Sequence, residues 1–235
     1  MTDTQKKYQC LSGSMLKLLA VVTMIIDHAA DLIPADNDII FSFLCFHDIY
    51  LYNIMRTIGR ISFPLFAFLL VEGFAHTSNL KKYGARLLMF ALLSEIPWDL
   101  EHTFTVFDSQ SQNVFFTLFL GFVGLCVLKR MEEKVDAKGI LSLFGLLAVS
   151  FILKADYSYI GFGFILILWL LRRLPVQRAV IGICFLNNPL KSGLAFIPIS
   201  LYNGKRGFIK GKFLQFLFYA IYPAHMLLLY VIKRF

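Results

Sequence analysis

The chain has 235 residues, of which 58% are hydrophobic and only 16% are charged, and its mean hydropathy is +0.68. Because a soluble globular domain carries about 25% charged residues, this composition excludes a soluble fold and predicts a single integral membrane domain over residues 1–235. The net charge of +8 does not indicate nucleic-acid binding, since the basic residues flank apolar runs instead of sharing one soluble face with aromatics.

Apolar runs predict an all-α fold, a polytopic transmembrane helical bundle of about eight or nine spans. Residues 1–13 are expected to be a cytoplasmic N-terminal segment. The first apolar run lacks a small-residue cleavage pattern, which favours a retained span over a signal peptide. Residues 35–53 are expected to be an extracytoplasmic loop or an interfacial segment. The predicted spans are Ser14–Pro34, Ile54–Phe74, Ala85–Leu100, Val114–Lys129, Gly139–Leu153, Tyr159–Leu171 and Phe213–Ile232.

The apolar region Val176–Tyr202 is interrupted by Asn187-Asn188-Pro189, so it forms either two short helices or a re-entrant hairpin shielded by protein. Loop charges predict the orientation of the bundle. Pairs of lysine and arginine follow the second, fourth and sixth spans, whereas the opposite loops are acidic. By the positive-inside rule the N-terminus is cytoplasmic, and we expect a multi-pass protein of the cell inner (plasma) membrane in contact with the lipid bilayer.

Polar residues inside the predicted spans are the best functional candidates, because an ionisable side chain in a bilayer needs a partner, a wet cavity or a function. By the helical rise, six segments bring polar residues to a similar depth in the outer leaflet, and Asp156-Tyr157 at the end of the fifth span is one of them. His28 or His225 can act as a general base near neutral pH, and Arg60 or Asn113 can stabilise an oxyanion. The predicted catalytic residues are Asp27, His28, Arg60, Glu95, Asn113 and His225.

The same residues also allow purely structural interpretations. Neighbours on a helix point about 100° apart, so Asp27 is expected to pair with Arg60 rather than with His28. An ion pair of Arg60 with Asp27 or Glu95 can simply hold helices together, and a membrane histidine can donate to a carbonyl of a neighbouring helix. The spacing of cysteine and histidine shows no metal-ligand pattern, so no metal site is predicted.

A second polar set lies at the inner boundary of the predicted spans. Arginine and lysine at helix ends suit phosphate groups. This set therefore predicts the entrance of a binding site for an anionic, phosphate-bearing donor. The alternative is a solvated helix end with snorkelling charges. The predicted donor-binding residues are Glu72, His76, Lys81, Lys82 and Arg86.

Around these residues the sequence resembles the TraX family of integral membrane proteins, which are associated with N-terminal acetylation of conjugative pilin. The resemblance runs through nearly the whole chain, and its stretches occur in the family's order. They are Leu16–His28, Gly59–Phe66, Val71–His76, Lys82–Arg86, Ser94–Asp99, Asn113–Thr117, Tyr202–Lys205 and Phe218–His225.

This resemblance implies acetyl transfer from cytoplasmic acetyl-CoA, the co-substrate, to an amine acceptor such as the N-terminus of pilin. The inner set would hold the CoA phosphates, and the outer set would meet the acceptor. Two other functions remain open beside this membrane-bound acyltransferase. One is a proton-coupled transporter with Asp27, Arg60 and Glu95 as its relay, and the other is an assembly factor that binds a partner's transmembrane helix.

Overall fold

The computed structural model of the chain describes residues 9–33, 39–41, 49–186 and 189–235. Residues 1–8, most of the predicted 35–53 loop and the Asn187-Asn188 interruption lie outside these ranges, so the expectations for them stay predictions. Within the described residues, the regular secondary structure is helical apart from a short antiparallel hairpin, β1 (Ile39–Phe41) with β2 (Ile49–Tyr50). The helical class predicted from the apolar runs is therefore confirmed.

The helices follow the predicted spans closely. In chain order they are α1 Gly13–Ala29, α2 Leu51–Gly59, α3 Ser62–His76, α4 Leu80–Thr103, α5 Val114–Met131, α6 Ala137–Ile152, α7 Ser158–Leu170, α8 Pro175–Phe185, α9 Pro189–Gly193, α10 Phe196–Ser200 and α11 Lys212–Arg234. A 3-10 turn, Ala30–Leu32, extends α1.

Two predicted elements differ from the structure. The second span is broken at Arg60 and Ile61 into α2 and α3, because Pro64 has no N–H and its ring obstructs the carbonyl of Arg60, four residues earlier. The described part of Val176–Tyr202 holds three short helices, α8 to α10, rather than two. Pro189 starts α9, as expected for proline in a first helical turn.

Three helical runs in the described part of the chain are long and apolar enough to cross a membrane: Leu51–His76, Val114–Met131 and Phe213–Arg234. The helices α6, α7 and α8 are apolar but shorter. Large apolar side chains are exposed over much of the outer surface, among them Leu92 on α4, Phe144 on α6 and Phe216 on α11. A surface of this kind suits lipid better than water.

Polar side chains cap the N-termini of four of the helices. Each accepts a hydrogen bond from a free backbone N–H of the first turn, which is the usual N-cap arrangement. The four are Ser12 for α1, Asn79 for α4, Asn113 for α5 and Asp136 for α6.

The basic loops gather at one end of the bundle. The Lys129 ammonium lies 5.6 Å from the centre of the Phe74 ring, and Phe74 also contacts Trp169, under the Arg172 guanidinium. The backbone N–H of Gly13, at the start of α1, donates to a carbonyl of the 204–212 loop. The basic loops, which alternate with acidic loops along the sequence, thus lie together at one end of the helical bundle.

Candidate functional site

Two of the spaces between the described helices contain predicted site residues. The first, called the donor cavity below, has a volume of about 610 Å³ and is lined by the inner faces of α1, α3, α4, α5 and α11 together with the 202–206 segment. The second, called the polar pocket, has a volume of about 400 Å³ and is lined by Asp27, His28, Asp31, Arg56, Arg60, Trp98, His102, Asp156, Tyr157 and Lys233.

The helix α11 runs from one space to the other. Its first turn carries Gln215, which lines the donor cavity, and its last turn carries Lys233, which lines the polar pocket. About 18 residues separate them, or roughly 27 Å at the α-helical rise, which is close to the ~30 Å hydrocarbon core of a bilayer. His225 lies between them, about 15 Å along the helix from Gln215.

His28 and His225 form a pair between the two spaces. Nδ1 of His28 lies 2.6 Å from Nε2 of His225, and the two ring planes are within 7° of parallel. Nδ1 of His225 lies 2.9 Å from the carbonyl oxygen of Ile221. Because a carbonyl oxygen only accepts, His225 must donate a hydrogen bond from Nδ1. When both rings are neutral, Nε2 of His225 therefore accepts a hydrogen bond from Nδ1 of His28. Nε2 of His28 then keeps a free lone pair.

An arginine that the sequence analysis overlooked organises the polar pocket. Arg56 on α2 pairs with Asp27 at 3.4 Å and with Asp31 at shorter range. The ion pair of Asp27 is therefore with Arg56 rather than with the predicted Arg60. Arg60 lies one helical turn later, is hydrogen-bonded to Tyr157, and lies near both Asp27 and Asp156 without a close ion pair to either in the described residues.

Asp156 lies in the loop between α6 and α7, on the wall of the polar pocket. Burial raises the pKa of its carboxyl to about 6, although the nearby Arg60 guanidinium opposes the shift. This carboxyl therefore changes charge close to neutral pH. The sequence analysis noted Asp156 as polar but did not assign it to the site.

A buried carboxylate links the ends of α4 and α11. Glu101 is 1% exposed, accepts a hydrogen bond from Lys233 and lies 2.8 Å from Nδ1 of His102. Burial alone disfavours ionisation, but the bonds from His102 and Lys233 outweigh it and hold the pKa of Glu101 at about 2. This cluster stabilises the C-terminal end of the helix that carries His225.

Glu95 and Asn113 are brought together but line neither space. The Asn113 amide donates to Glu95 at 2.5 Å and to the Ala91 carbonyl at 2.8 Å, and its oxygen accepts from the Phe115 N–H. With both amide hydrogens in use, Asn113 has no free donor for an oxyanion. The pair joins α4 to α5.

The predicted donor-binding residues divide into two groups. Glu72, His76 and Arg86 line the donor cavity, whereas Lys81 and Lys82 are exposed outside it. Two cations that the sequence analysis left out, Lys17 and Arg206, complete the lining. Arg206 belongs to the basic 204–212 loop, to which the sequence analysis assigned no site. Lys17 lies inside an apolar run, which is itself an unusual place for lysine.

Comparison with known proteins agrees with the resemblance described above. The family model described as "TraX protein" matches residues 12–233. The chain belongs to the TraX family. A TraX-family relative from Dichelobacter nodosus, described as "Probable fimbrial assembly protein FimC, serogroup H1", is 28% identical over 248 residues, which cover 95% of this chain and 96% of that relative. No solved structure matches this TraX-family chain.

Proposed function

We propose that this TraX-family protein is a membrane-bound acetyltransferase that transfers an acetyl group from acetyl-CoA to an amine at the His28–His225 pair. The observation that carries the proposal is the position of this pair, with a free imidazole nitrogen, between a cation-lined cavity and a polar pocket. Imidazole is the usual general base near neutral pH.

The donor cavity suits a thioester attached to a phosphate-bearing carrier. Lys17, Arg86 and Arg206 supply positive charge for phosphate groups. Deeper in the cavity, aromatic and aliphatic side chains such as Phe66, Phe115 and Leu118 provide an apolar channel for a pantetheine arm. Its volume of about 610 Å³ is in the usual range for cofactor sites.

The polar pocket suits the acceptor amine. Asp27, Asp31 and Asp156 offer carboxylates for an ammonium group, and His28 lines the same pocket. The D. nodosus relative is described as a fimbrial assembly protein, which favours a protein N-terminus, such as that of a pilin subunit, as the acceptor. A peptide end can enter a pocket of about 400 Å³ without the rest of its chain unfolding.

In the reaction, the acceptor ammonium first loses one proton to water, as an α-amino group does near its pKa of about 8. The neutral amine nitrogen then attacks the thioester carbonyl carbon and forms the C–N bond, while the carbonyl electron pair moves to oxygen. Nε2 of His28 takes the proton that the nitrogen loses, and His225 holds the ring in the required tautomer. The intermediate then collapses, the C–S bond breaks, and the sulfur takes the proton from His28. The products are an N-acetyl amide and free CoA thiol.

The membrane arrangement follows from charge. We assign the basic end of the bundle to the cytoplasm by the positive-inside rule, which places the donor cavity where acetyl-CoA is available. The polar pocket then opens toward the outside of the inner membrane, and the chain crosses the bilayer about eight or nine times, its shorter helices tilted or surrounded by longer ones.

The test is acetyl transfer by purified protein from radiolabelled acetyl-CoA to a short peptide with a free N-terminus. His28→Ala is expected to lower kcat at least about 10²-fold, the usual contribution of a general base, while the thermal shift caused by acetyl-CoA persists. That shift shows that the variant is folded and still binds donor. Absence of transfer by the wild type to any peptide, with no effect of acetyl-CoA on melting, would refute the proposal.

The relative's description also supports a second candidate, a non-enzymatic factor for fimbrial assembly. A non-enzymatic assembly factor would use packing surfaces to bind its partner and would not require a general base. It predicts that His28→Ala preserves pilus assembly in cells, whereas the acetyltransferase predicts pilin with an unmodified N-terminus. The transporter alternative is less favoured, because Glu95 does not line the pocket that contains Asp27 and Arg60.

A further inference from the structure

The hydroxyl of Tyr222 is a buried polar group without an acceptor. Tyr222 lies on α11 one turn before His225, is 3% exposed and lines the donor cavity. Its oxygen lies beside the Val114 N–H, but its O–H finds no hydrogen-bond acceptor in the part of the chain that the structure describes. A buried unpaired donor costs about 1–3 kcal/mol, so its retention needs a reason.

Three aromatic rings hold Tyr222 in place. Its ring meets Phe115 at 90° with 5.3 Å between centroids, and it packs edge-on against His28 at 6.1 Å and His225 at 5.4 Å. Tyr222 thus belongs to the wall of the donor cavity and contacts the ring of the proposed base. A reacting carbonyl in that cavity would lie between the two.

We propose that Tyr222 is a catalytic residue that donates a hydrogen bond to the carbonyl oxygen of the bound acetyl thioester. This inference rests on the proposed acetyltransferase function. As the amine attacks, the carbonyl oxygen gains negative charge, and a preorganised O–H donor stabilises it without proton transfer. When the C–S bond breaks, the carbonyl re-forms and the hydrogen bond weakens again. Tyr222 keeps its proton throughout the reaction.

Other donors near the site are occupied, lie on the wrong side or do not contact the histidines. Tyr219, one turn earlier on α11, accepts a hydrogen bond from Tyr83, and its ring packs on Phe90 and Phe115 rather than on the two histidines. Asn113 uses both amide hydrogens within the protein. Arg60 lines the polar pocket rather than the donor cavity. This leaves Tyr222 as the side chain in the described cavity wall that combines a free O–H with contact to both histidines.

The test compares Tyr222→Phe with Tyr230→Phe, a matched control on the same helix that lines neither space. Tyr222→Phe is expected to lower kcat about 10²- to 10³-fold, the usual loss for one oxyanion donor, with the KM for acetyl-CoA unchanged. Its melting temperature should equal or exceed that of the wild type, because an unpaired hydroxyl is removed. Tyr230→Phe should keep kcat within threefold of the wild type, and its melting temperature should not rise, because the Tyr230 hydroxyl accepts a hydrogen bond from Arg234.

A second measurement uses the acetyl-CoA analogue in which sulfur replaces the carbonyl oxygen, since sulfur is a weak acceptor. The ratio of kcat for the oxygen and sulfur substrates should shrink about tenfold or more in Tyr222→Phe. If the wild type transfers acetyl and Tyr222→Phe keeps kcat within threefold, the role of Tyr222 is refuted and the proposed function stands. A wild type without any transfer overturns the proposed function itself.

Discussion

Gly59 is the point where α1 and α2 approach most closely beside the proposed site. A Cβ added there would lie 2.1 Å from Oδ1, 2.2 Å from Cβ and 2.3 Å from Cγ of Asp27. Ordinary contact needs at least ~3.4 Å between such atoms, so Gly59→Ala must move the two helices apart by about 1 Å. Asp27 adjoins His28 and pairs with Arg56, and both would move with it.

We expect Gly59→Ala to lower the free energy of unfolding by about 1–3 kcal/mol, the usual cost of overpacking. A displacement of about 1 Å at His28 should lower kcat up to about 10²-fold. Thermal unfolding in detergent and acetyl transfer to a peptide measure the two effects. The matched control is Gly145→Ala on α6, where an added Cβ meets nothing within 4 Å.

Gly145→Ala should be neutral or stabilising by up to about 1 kcal/mol, since alanine is the better helix former. Equal melting temperatures and activities for Gly59→Ala and the wild type would contradict the close approach of α1 to α2, and with it the position of His28 in the site.

Three further predictions concern charge. Arg206→Ala should raise the KM for acetyl-CoA about tenfold or more with kcat unchanged, because a charge-assisted bond to phosphate is lost; an equal KM in steady-state kinetics would contradict its role. Lys233→Met removes one partner of buried Glu101 and should lower the free energy of unfolding by about 2 kcal/mol, as measured by denaturant titration. Asp156→Asn should raise the melting temperature relative to the wild type more at pH 8 than at pH 5. Burial raises the Asp156 pKa to about 6 from the ordinary 3.8, so the folded wild type binds this proton more tightly than the unfolded chain does. The free energy of unfolding of the wild type therefore falls as the pH rises through 6. A difference in melting temperature between variant and wild type that does not change with pH would refute this.

The helices could be predicted from the sequence because apolar runs and loop charges are local signals. The predicted span Val114–Lys129 became α5, Val114–Met131, and the predicted Gly139–Leu153 became α6, Ala137–Ile152. The break between α2 and α3 was missed because the run of apolar residues continues through it, although Pro64 marks it.

The site was only partly predictable because its residues meet through packing. His28 and His225 were predicted as alternative bases, and their pairing across the chain has no local sequence signal. Arg56 lies near the start of the predicted span Ile54–Phe74 and was overlooked, although an ionisable residue inside a span meets the criterion used for the other candidates. Tyr222 was missed because an aromatic side chain inside an apolar helix usually serves packing, and only the neighbouring rings and its unpaired hydroxyl distinguish it.

The most direct test of the account is acetyl transfer across a membrane in proteoliposomes. Labelled acetyl-CoA is sealed inside, and a membrane-impermeant peptide with a free N-terminus is supplied outside. We expect labelled N-acetyl peptide to accumulate outside with the wild type and to fall at least about 10²-fold with His28→Ala. Transfer only when donor and acceptor share one compartment, or equal transfer by the His28 variant, would contradict a histidine pair that joins a cavity on one side to a pocket on the other.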